Sequence, residues 1–241
     1  VQRGLAESVD AARALIDEGV VLANGSVVMT HSRQVAQSDE LLVKPVDQFV
    51  SRGGIKLEAA LAAFNIDVSN QRALDAGAST GGFTDCLLQR GASEVVAVDV
   101  GKSQMHERIA TNNRVVVIDT FNVRQLADDT QDLPIPLRSE FDLAVADLSF
   151  ISLKSVSRAL TARLSRSGNL VVLVKPQFEA TKLEVDRSQG VIADQAIRDR
   201  VVGEVNQSFA EQGWAVHGCI ESPIHGAEGN VEYLVWYRFE A

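Results

Sequence analysis

The spacing of apolar positions changes along the chain. Behind Ser8, Val9, Ala12, Leu15 and Ile16 recur at helical intervals, and the Ser8 hydroxyl can cap a helix running to about Glu18. Gly19 is a suitable stop. Val20–Ala23 and Ser26–Met29 then flank Asn24-Gly25, the pair best suited to the left-handed positions of a tight hairpin. Leu41–Lys44 reads as a further short strand, and Pro45 and Asp47 as part of a linker. Beyond it, short apolar runs alternate with helical stretches. Strands are expected at Ala73–Asp75, Val95–Asp99, Val115–Ile118, Leu143–Ala146, Leu170–Val174, Ala215–Ile220 and Val231–Tyr237. Helices are expected near Leu57–Phe64, Gly82–Gln89, Ser103–Ala110, Leu153–Leu164 and Asp194–Gln212. Such alternation predicts a doubly wound α/β sheet. No helix separates the last two strands, so the sheet should end in an antiparallel pair. The expected organisation is a small α+β unit over residues 1–45, a linker over 46–55 and a larger α/β domain over 56–241.

Composition narrows this picture. With 241 residues, 46% hydrophobic and 23% charged, the chain can bury a sizeable core. No apolar run approaches the roughly 18 residues needed to cross a bilayer, and no basic-then-apolar leader opens the sequence. Cys86 and Cys219 are the only cysteines, which suits a reduced, cytoplasmic protein. The net charge of −9 argues against a uniformly basic nucleic-acid binder. The first 60 residues hold six Lys/Arg against eight Asp/Glu, so they supply no basic excess either. Any binding to a polyanion must rest on local arrangement.

The sharpest motif is Leu74-Asp75-Ala76-Gly77-Ala78-Ser79-Thr80-Gly81-Gly82-Phe83, where a strand hands over to a helix. Glycines there let backbone approach a ligand, and the helix start offers free N–H groups. Asp99 ends the next strand about 20 residues on, suitably placed for ribose hydroxyls. Asp75, just before the first glycine, would repel a pyrophosphate and attract a sulfonium or an amino group. The motif therefore points to S-adenosylmethionine, held by Asp75, Gly77, Ala78, Ser79, Gly81, Gly82, Phe83 and Asp99. Asp119, ending the third strand, is a candidate for the adenine amino group.

Polar residues beside apolar strands mark a second constellation. Asp147-Leu148-Ser149-Phe150 ends the fourth strand and Lys175-Pro176-Gln177-Phe178-Glu179 the fifth. Ligands of open parallel sheets lie at these carboxyl ends. Ser51-Arg52-Gly53-Gly54-Ile55-Lys56-Leu57 precedes the sheet, and Gly229-Asn230-Val231-Glu232-Tyr233 opens the last strand. Together with Asp75–Phe83 and Gly190-Val191-Ile192, these segments resemble the TlyA-type, hemolysin-like ribosomal RNA methyltransferases. The catalytic domain of that family is similar to the FtsJ/RrmJ-type 2′-O-methyltransferases. The resemblance covers nearly the whole chain. It implies a Rossmann-like S-adenosylmethionine methyltransferase domain, a ribose 2′-hydroxyl of ribosomal RNA or ribosomal subunits as target, and a Lys-Asp-Lys-Glu tetrad at Lys56, Asp147, Lys175 and Glu232. No metal is implied. Ala6–Gly25 resembles a small RNA-binding domain first described in a ribosomal small-subunit protein. The match begins inside that domain's first helix and Val1 is not an initiator Met, so further residues are expected ahead of it.

The implied reaction is an in-line attack of a ribose 2′-oxygen on a methyl carbon bound to sulfur. Alignment of the two centres can supply about 7–11 kcal/mol. Lys175 is the candidate to meet the hydroxyl, with Asp147 orienting it and also near the sulfonium, and Glu232 positioning Lys56 or the hydroxyl. An amine accepts a proton only where burial or a second cation favours its neutral form, and Lys56 could be that cation. The alternative is that both lysines only stabilise the developing oxyanion. The polar stretch from Glu179 to Asp194 overhangs the same edge as a lid, an RNA-contacting loop or a plain surface loop. Two other functions remain open: a hemolysin or cytolysin, which the absence of a spanning or basic amphipathic segment disfavours, and a non-catalytic RNA-binding assembly factor, which the intact tetrad disfavours.

Overall fold

A computed structural model describes residues 1–44 and 48–240. Its contacts divide the chain into two units, residues 1–48 and 49–241. The linker residues Pro45 and Asp47 lie outside the described residues.

In the first unit, helix α1 (Val9–Asp17) is capped by Ser8, whose hydroxyl accepts the Ala11 N–H at 3.0 Å. Strands β1 (Val21–Ala23) and β2 (Ser26–Val27) form the hairpin, with Asn24 and Gly25 at positive φ as the turn chemistry requires. Strand β3 (Leu41–Val43) pairs on the other side of β1, giving the order β2-β1-β3. The Asn24 carboxamide ties the turn to the next segment, donating to Asp39 and accepting the Glu40 N–H.

The second unit contains helices α2 (Arg52–Ala63), α3 (Gly82–Gln89), α4 (Glu107–Ala110), α5 (Ser157–Thr161), α6 (Pro176–Glu179), α7 (Lys182–Arg187) and α8 (Gln195–Ala210). Its strands are β4 (Arg72–Ala76), β5 (Glu94–Val98), β6 (Val115–Ile118), β7 (Phe141–Ala146), β8 (Leu164–Val174), β9 (Trp214–Glu221) and β10 (Tyr233–Phe239). They form a seven-stranded sheet in the order β6-β5-β4-β7-β8-β10-β9. The pairs from β6 through β8 are parallel, while β10 runs antiparallel to both β8 and β9. Both faces are covered, as a parallel sheet requires. Side chains alternate accordingly: Leu74 and Ala76 join the core that includes Phe141, Phe209 and Tyr237, whereas Ala73 joins the core that includes Leu57, Leu61 and Leu87.

Several boundaries differ from the sequence expectation. The segment expected as linker over 46–55 already contains the start of α2. Phe49 is buried against Gly54, and the Val50 N–H donates to Asp85 Oδ2 at 2.8 Å, so this stretch is packed rather than connecting. The helix expected over Ser103–Ala110 shrinks to α4, because Ser103 sits at φ +53° and its N–H goes to Asp119. The helix expected over Leu153–Leu164 breaks at Val156 into a short 3-10 turn and α5, and Leu164 already belongs to β8. The last strand begins at Tyr233, leaving Glu232 in the preceding loop.

Candidate active site

The loop between β4 and α3 folds back on the sheet. Gly77, at φ +85°, donates its N–H to Val98 O at 2.9 Å, and a Cβ there would lie 2.5 Å from the Asp147 carbonyl oxygen. Glycine is the residue that fits on both counts. Gly82 opens α3 with Ser51 and Gly54 so close that a Cβ would meet them at 2.2 and 3.0 Å. The loop is thus wedged between the end of β7 and the start of α2.

Beside it lies a cavity of about 430 Å³, lined by Gly77, Ser79, Asp99, Phe121, Asn122, Asp147, Leu148 and Phe150 among others. A smaller cavity of about 170 Å³ takes in Ser51, Gly53, Ala78, Gly82, Phe83 and Lys175. The two share Gly77, Ser79, Asp147 and Ser149. Asp99 fixes the loop at the seam: its carboxylate accepts the Ser79 N–H at 2.8 Å and the Gly101 N–H at 2.7 Å. Gly81 lines neither cavity and instead caps α3 at φ +93°.

Two expected cofactor residues sit elsewhere. Asp75 is fully buried beneath the loop, where Oδ2 accepts the Thr84 hydroxyl at 2.6 Å. Burial pushes its carboxyl up to about 7, and the neighbouring charges of Asp147 and Asp99 push the same way. Oδ1 has no hydrogen-bond partner. Asp119 is absent from the cavity wall and accepts the Ser103 N–H at 2.9 Å. The wall near it is built by Phe121 and Asn122, which carry no sequence signal of their own.

The structure sets the four tetrad candidates as two ion pairs. Lys56 Nζ lies 2.5 Å from Glu232 Oε2, with both side chains at least nine-tenths buried. Lys175 Nζ lies 2.6 Å from Asp147 Oδ1 and also donates to Ser149 Oγ at 2.9 Å. Tyr233 is paired with Val174, so Glu232 and Lys175 are the next residues along two antiparallel neighbours. Helix α2 brings Lys56 to this end of the sheet, while β7 and β8 deliver Asp147 and Lys175 directly. Sequence reasoning passed over Phe150. It is 91% exposed at φ +63°, with its ring 5.2 Å from that of Phe178, and Lys175 Nζ lies 5.9 Å from the Phe178 ring.

The site accepts a cationic ligand better than a polyanion. Asp99 and Asp147 both line the cavity, and their charges also push up the carboxyl of Asp75 buried beneath the loop. Such a carboxylate group repels phosphates and attracts a sulfonium or an amine. The cavity beside a strand–glycine–helix handover is what a methyltransferase needs to hold its methyl donor. The chain belongs to the FtsJ-like methyltransferase family, whose model matches residues 49–239. Its cofactor is S-adenosylmethionine. It is similar to the Mycobacterium tuberculosis 16S/23S rRNA (cytidine-2′-O)-methyltransferase TlyA, with 44% identity over 99% of this chain and 87% of that protein. It is also 37% identical to Hemolysin A of Brachyspira hyodysenteriae, over 97% of this chain and 95% of that one. The solved structure of a hemolysin-like protein from Streptococcus thermophilus matches 99% of this chain and 85% of its own with a TM-score of 0.75 at 36% identity.

Proposed function

We propose that the protein transfers the methyl group of S-adenosylmethionine to a ribose 2′-hydroxyl of ribosomal RNA, acting on ribosomal subunits in the cytoplasm. The observation that carries this reading is the double ion pair, Lys56–Glu232 and Lys175–Asp147, at the sheet edge beside the glycine loop. The rRNA methyltransferase name of the 44%-identical relative supports the same target.

Gly77, Ser79, Asp99 and Asp147 would hold the cofactor, which would supply an electrophilic methyl group on sulfur. The chain's own contribution is alignment and charge. Lys175 meets the 2′-oxygen, and Asp147 and Ser149 fix its ammonium by hydrogen bonding and ion pairing. A lysine that accepts a proton needs surroundings that favour the neutral amine. Here each lysine is instead ion-paired with its own carboxylate, and Lys175 also donates to the Ser149 hydroxyl. Of the two roles open to Lys175, the pairing therefore supports holding negative charge on the oxygen as its proton departs. Glu232 holds Lys56 in the same way. The exposed Phe150 ring, packed against Phe178, offers an unstacked base an aromatic face beside the lysine. Residues 1–48 supply RNA affinity rather than chemistry, since they hold no tetrad member.

The test is to incubate the protein with labelled S-adenosylmethionine and purified ribosomal subunits and to map the labelled nucleotide. Label on a ribose 2′-oxygen is expected. Label on a base, or on protein alone, overturns the reading.

A further inference from the structure

One side chain joins the Gly190-Val191-Ile192 motif to the Gly229-Asn230-Val231-Glu232-Tyr233 motif that carries Glu232. Asn230 is 2% exposed. Its Oδ1 accepts the Ile192 N–H at 3.0 Å and its Nδ2 donates to the Gly190 carbonyl at 2.9 Å. Both halves of the carboxamide are therefore spent on the backbone of Gly190-Val191-Ile192. That turn is awkward for the chain, with Gln189 at φ +51° and Gly190 at φ +86°. Arg198 fixes its far end, donating to the Ile192 and Ala193 carbonyls at 3.0 and 2.7 Å. The stretch from Glu179 to Asp194, expected as a lid, an RNA-contacting loop or a plain surface loop, is thus held at Gly190, Ile192 and Ala193 near its end.

The other side of Asn230 is the loop that carries Glu232. Gly226 N–H donates to Asn230 O at 2.9 Å, and Ser222 N–H donates to Glu232 O at 2.8 Å. The loop wraps the glutamate so closely that a Cβ on Gly226 would sit 2.1 Å from Glu232 Oε1. Arg52, four residues before Lys56, donates to His225 O at 2.7 Å and so ties the helix of Lys56 to this loop. The Glu232 carboxylate is set by loop 222–232, and that loop is set by Asn230.

We propose that Asn230 is a positioning residue for methyl transfer, acting through Glu232: its carboxamide clamps the loop that holds the Glu232 carboxylate on Lys56. This rests on the reading of the tetrad given above. A truncated side chain at 230 frees the loop from the 190–192 turn, and the carboxylate loses its fixed approach to the ammonium. Interactions that act through a shared partner are non-additive, whereas independent ones add.

The experiment is a double-mutant cycle on the full chain. Single-turnover methylation of ribosomal subunits is compared for wild type, Asn230→Ala, Glu232→Gln and the double variant, with cofactor affinity measured by calorimetry. Asn230→Ala is expected to slow transfer about 10-fold or more with cofactor affinity unchanged, and to cost less than about 2-fold in the Glu232→Gln background. Equal loss in both backgrounds overturns the clamp and leaves the tetrad reading standing. A wild-type rate in Glu232→Gln alone overturns the tetrad reading and the clamp with it. Asn230→Asp guards against misfolding of the alanine variant, because it keeps the acceptor for Ile192 and loses the donor to Gly190. It should show a smaller loss, relieved as pH falls and the carboxyl regains a hydrogen to donate. A pH-independent loss in Asn230→Asp equal to that of alanine overturns the role assigned to the donor.

Discussion

A lysine and a carboxylate 2.6 Å apart make a different catalyst from a lysine beside a second cation. Lys175 is paired with Asp147, and the second cation Lys56 is paired with Glu232. Lys175→Ala is expected to lower single-turnover methylation by at least about 100-fold with cofactor affinity unchanged. Lys175→Arg, which keeps the charge, should retain a rate within about 10-fold of wild type. An arginine variant as slow as the alanine would restore the lysine as proton acceptor. Asp75 gives a prediction of a different kind. Burial holds its carboxyl near 7, against 3.8 for a free side chain. Between those values the folded state keeps a proton that the unfolded chain has released, so stability falls as pH rises from about 4 to about 7 and stays low above. Asp75→Asn removes that slope while keeping an acceptor for Thr84. Chemical denaturation at pH 5 and pH 8 should therefore show the asparagine variant gaining on wild type at the higher pH. A constant difference between the two proteins would contradict this. That Asp75 lies beneath the loop was not legible in the sequence, because the position before the first glycine does not say whether a side chain faces ligand or core. Asp119 shows the same limit, for a strand-end acid can turn to a neighbouring loop as readily as to a cavity.

At the scale of elements, what was legible depended on local backbone chemistry. Ser8 caps α1, Asn24-Gly25 makes its hairpin turn, and the glycine loop hands β4 to α3, each decided by a few adjacent residues. What was not legible depended on distant partners. The α5 region is interrupted because Ser152 and Leu153 are drawn to the buried Glu179 carboxylate, at 2.6 Å each, from the segment after β8. No periodicity over residues 153–164 carries that information. The start of α2 was likewise hidden, since it is fixed by Phe49 and Asp85 rather than by its own apolar spacing. The tetrad segments could be placed at one sheet edge from the alternation of strands and helices, but not the division into two pairs. The glycine loop yields the element-scale prediction. At Gly77 a methyl group would meet the Asp147 carbonyl at 2.5 Å, and φ is +85°. Gly77→Ala must therefore shift the loop away from the end of β7, at a cost on the order of 1–3 kcal/mol. Cofactor affinity by calorimetry should fall at least about 10-fold, with a lower thermal midpoint. Undiminished affinity would show that the loop does not shape the cofactor cavity.

For the whole molecule, the question is how an acidic chain engages a polyanion. The net charge is −9, and the cavity beside the glycine loop is lined by the carboxylates of Asp99 and Asp147. Bulk attraction cannot bring RNA to such a surface, so affinity must come from local contacts, of which the smaller unit is the candidate source. Phe49 belongs to the core of the larger unit, and the FtsJ-like match begins at the same residue. A truncation should therefore fall after Gln48, not at residue 45 and not at 55, which would remove the start of α2. The protein lacking residues 1–48 should bind S-adenosylmethionine as the full chain does, because Gly77, Ser79, Asp99 and Asp147 all remain in place. Its affinity for ribosomal subunits should fall at least about 10-fold, measured by filter binding at fixed salt, since phosphate contacts weaken steeply as salt rises. Its loss in methylation should be overcome by raising the subunit concentration, which separates lost binding from lost chemistry. Methylation at low subunit concentration equal to that of the full chain would place RNA recognition within the larger unit alone. Loss of cofactor binding would show instead that the larger unit depends on the smaller for its fold.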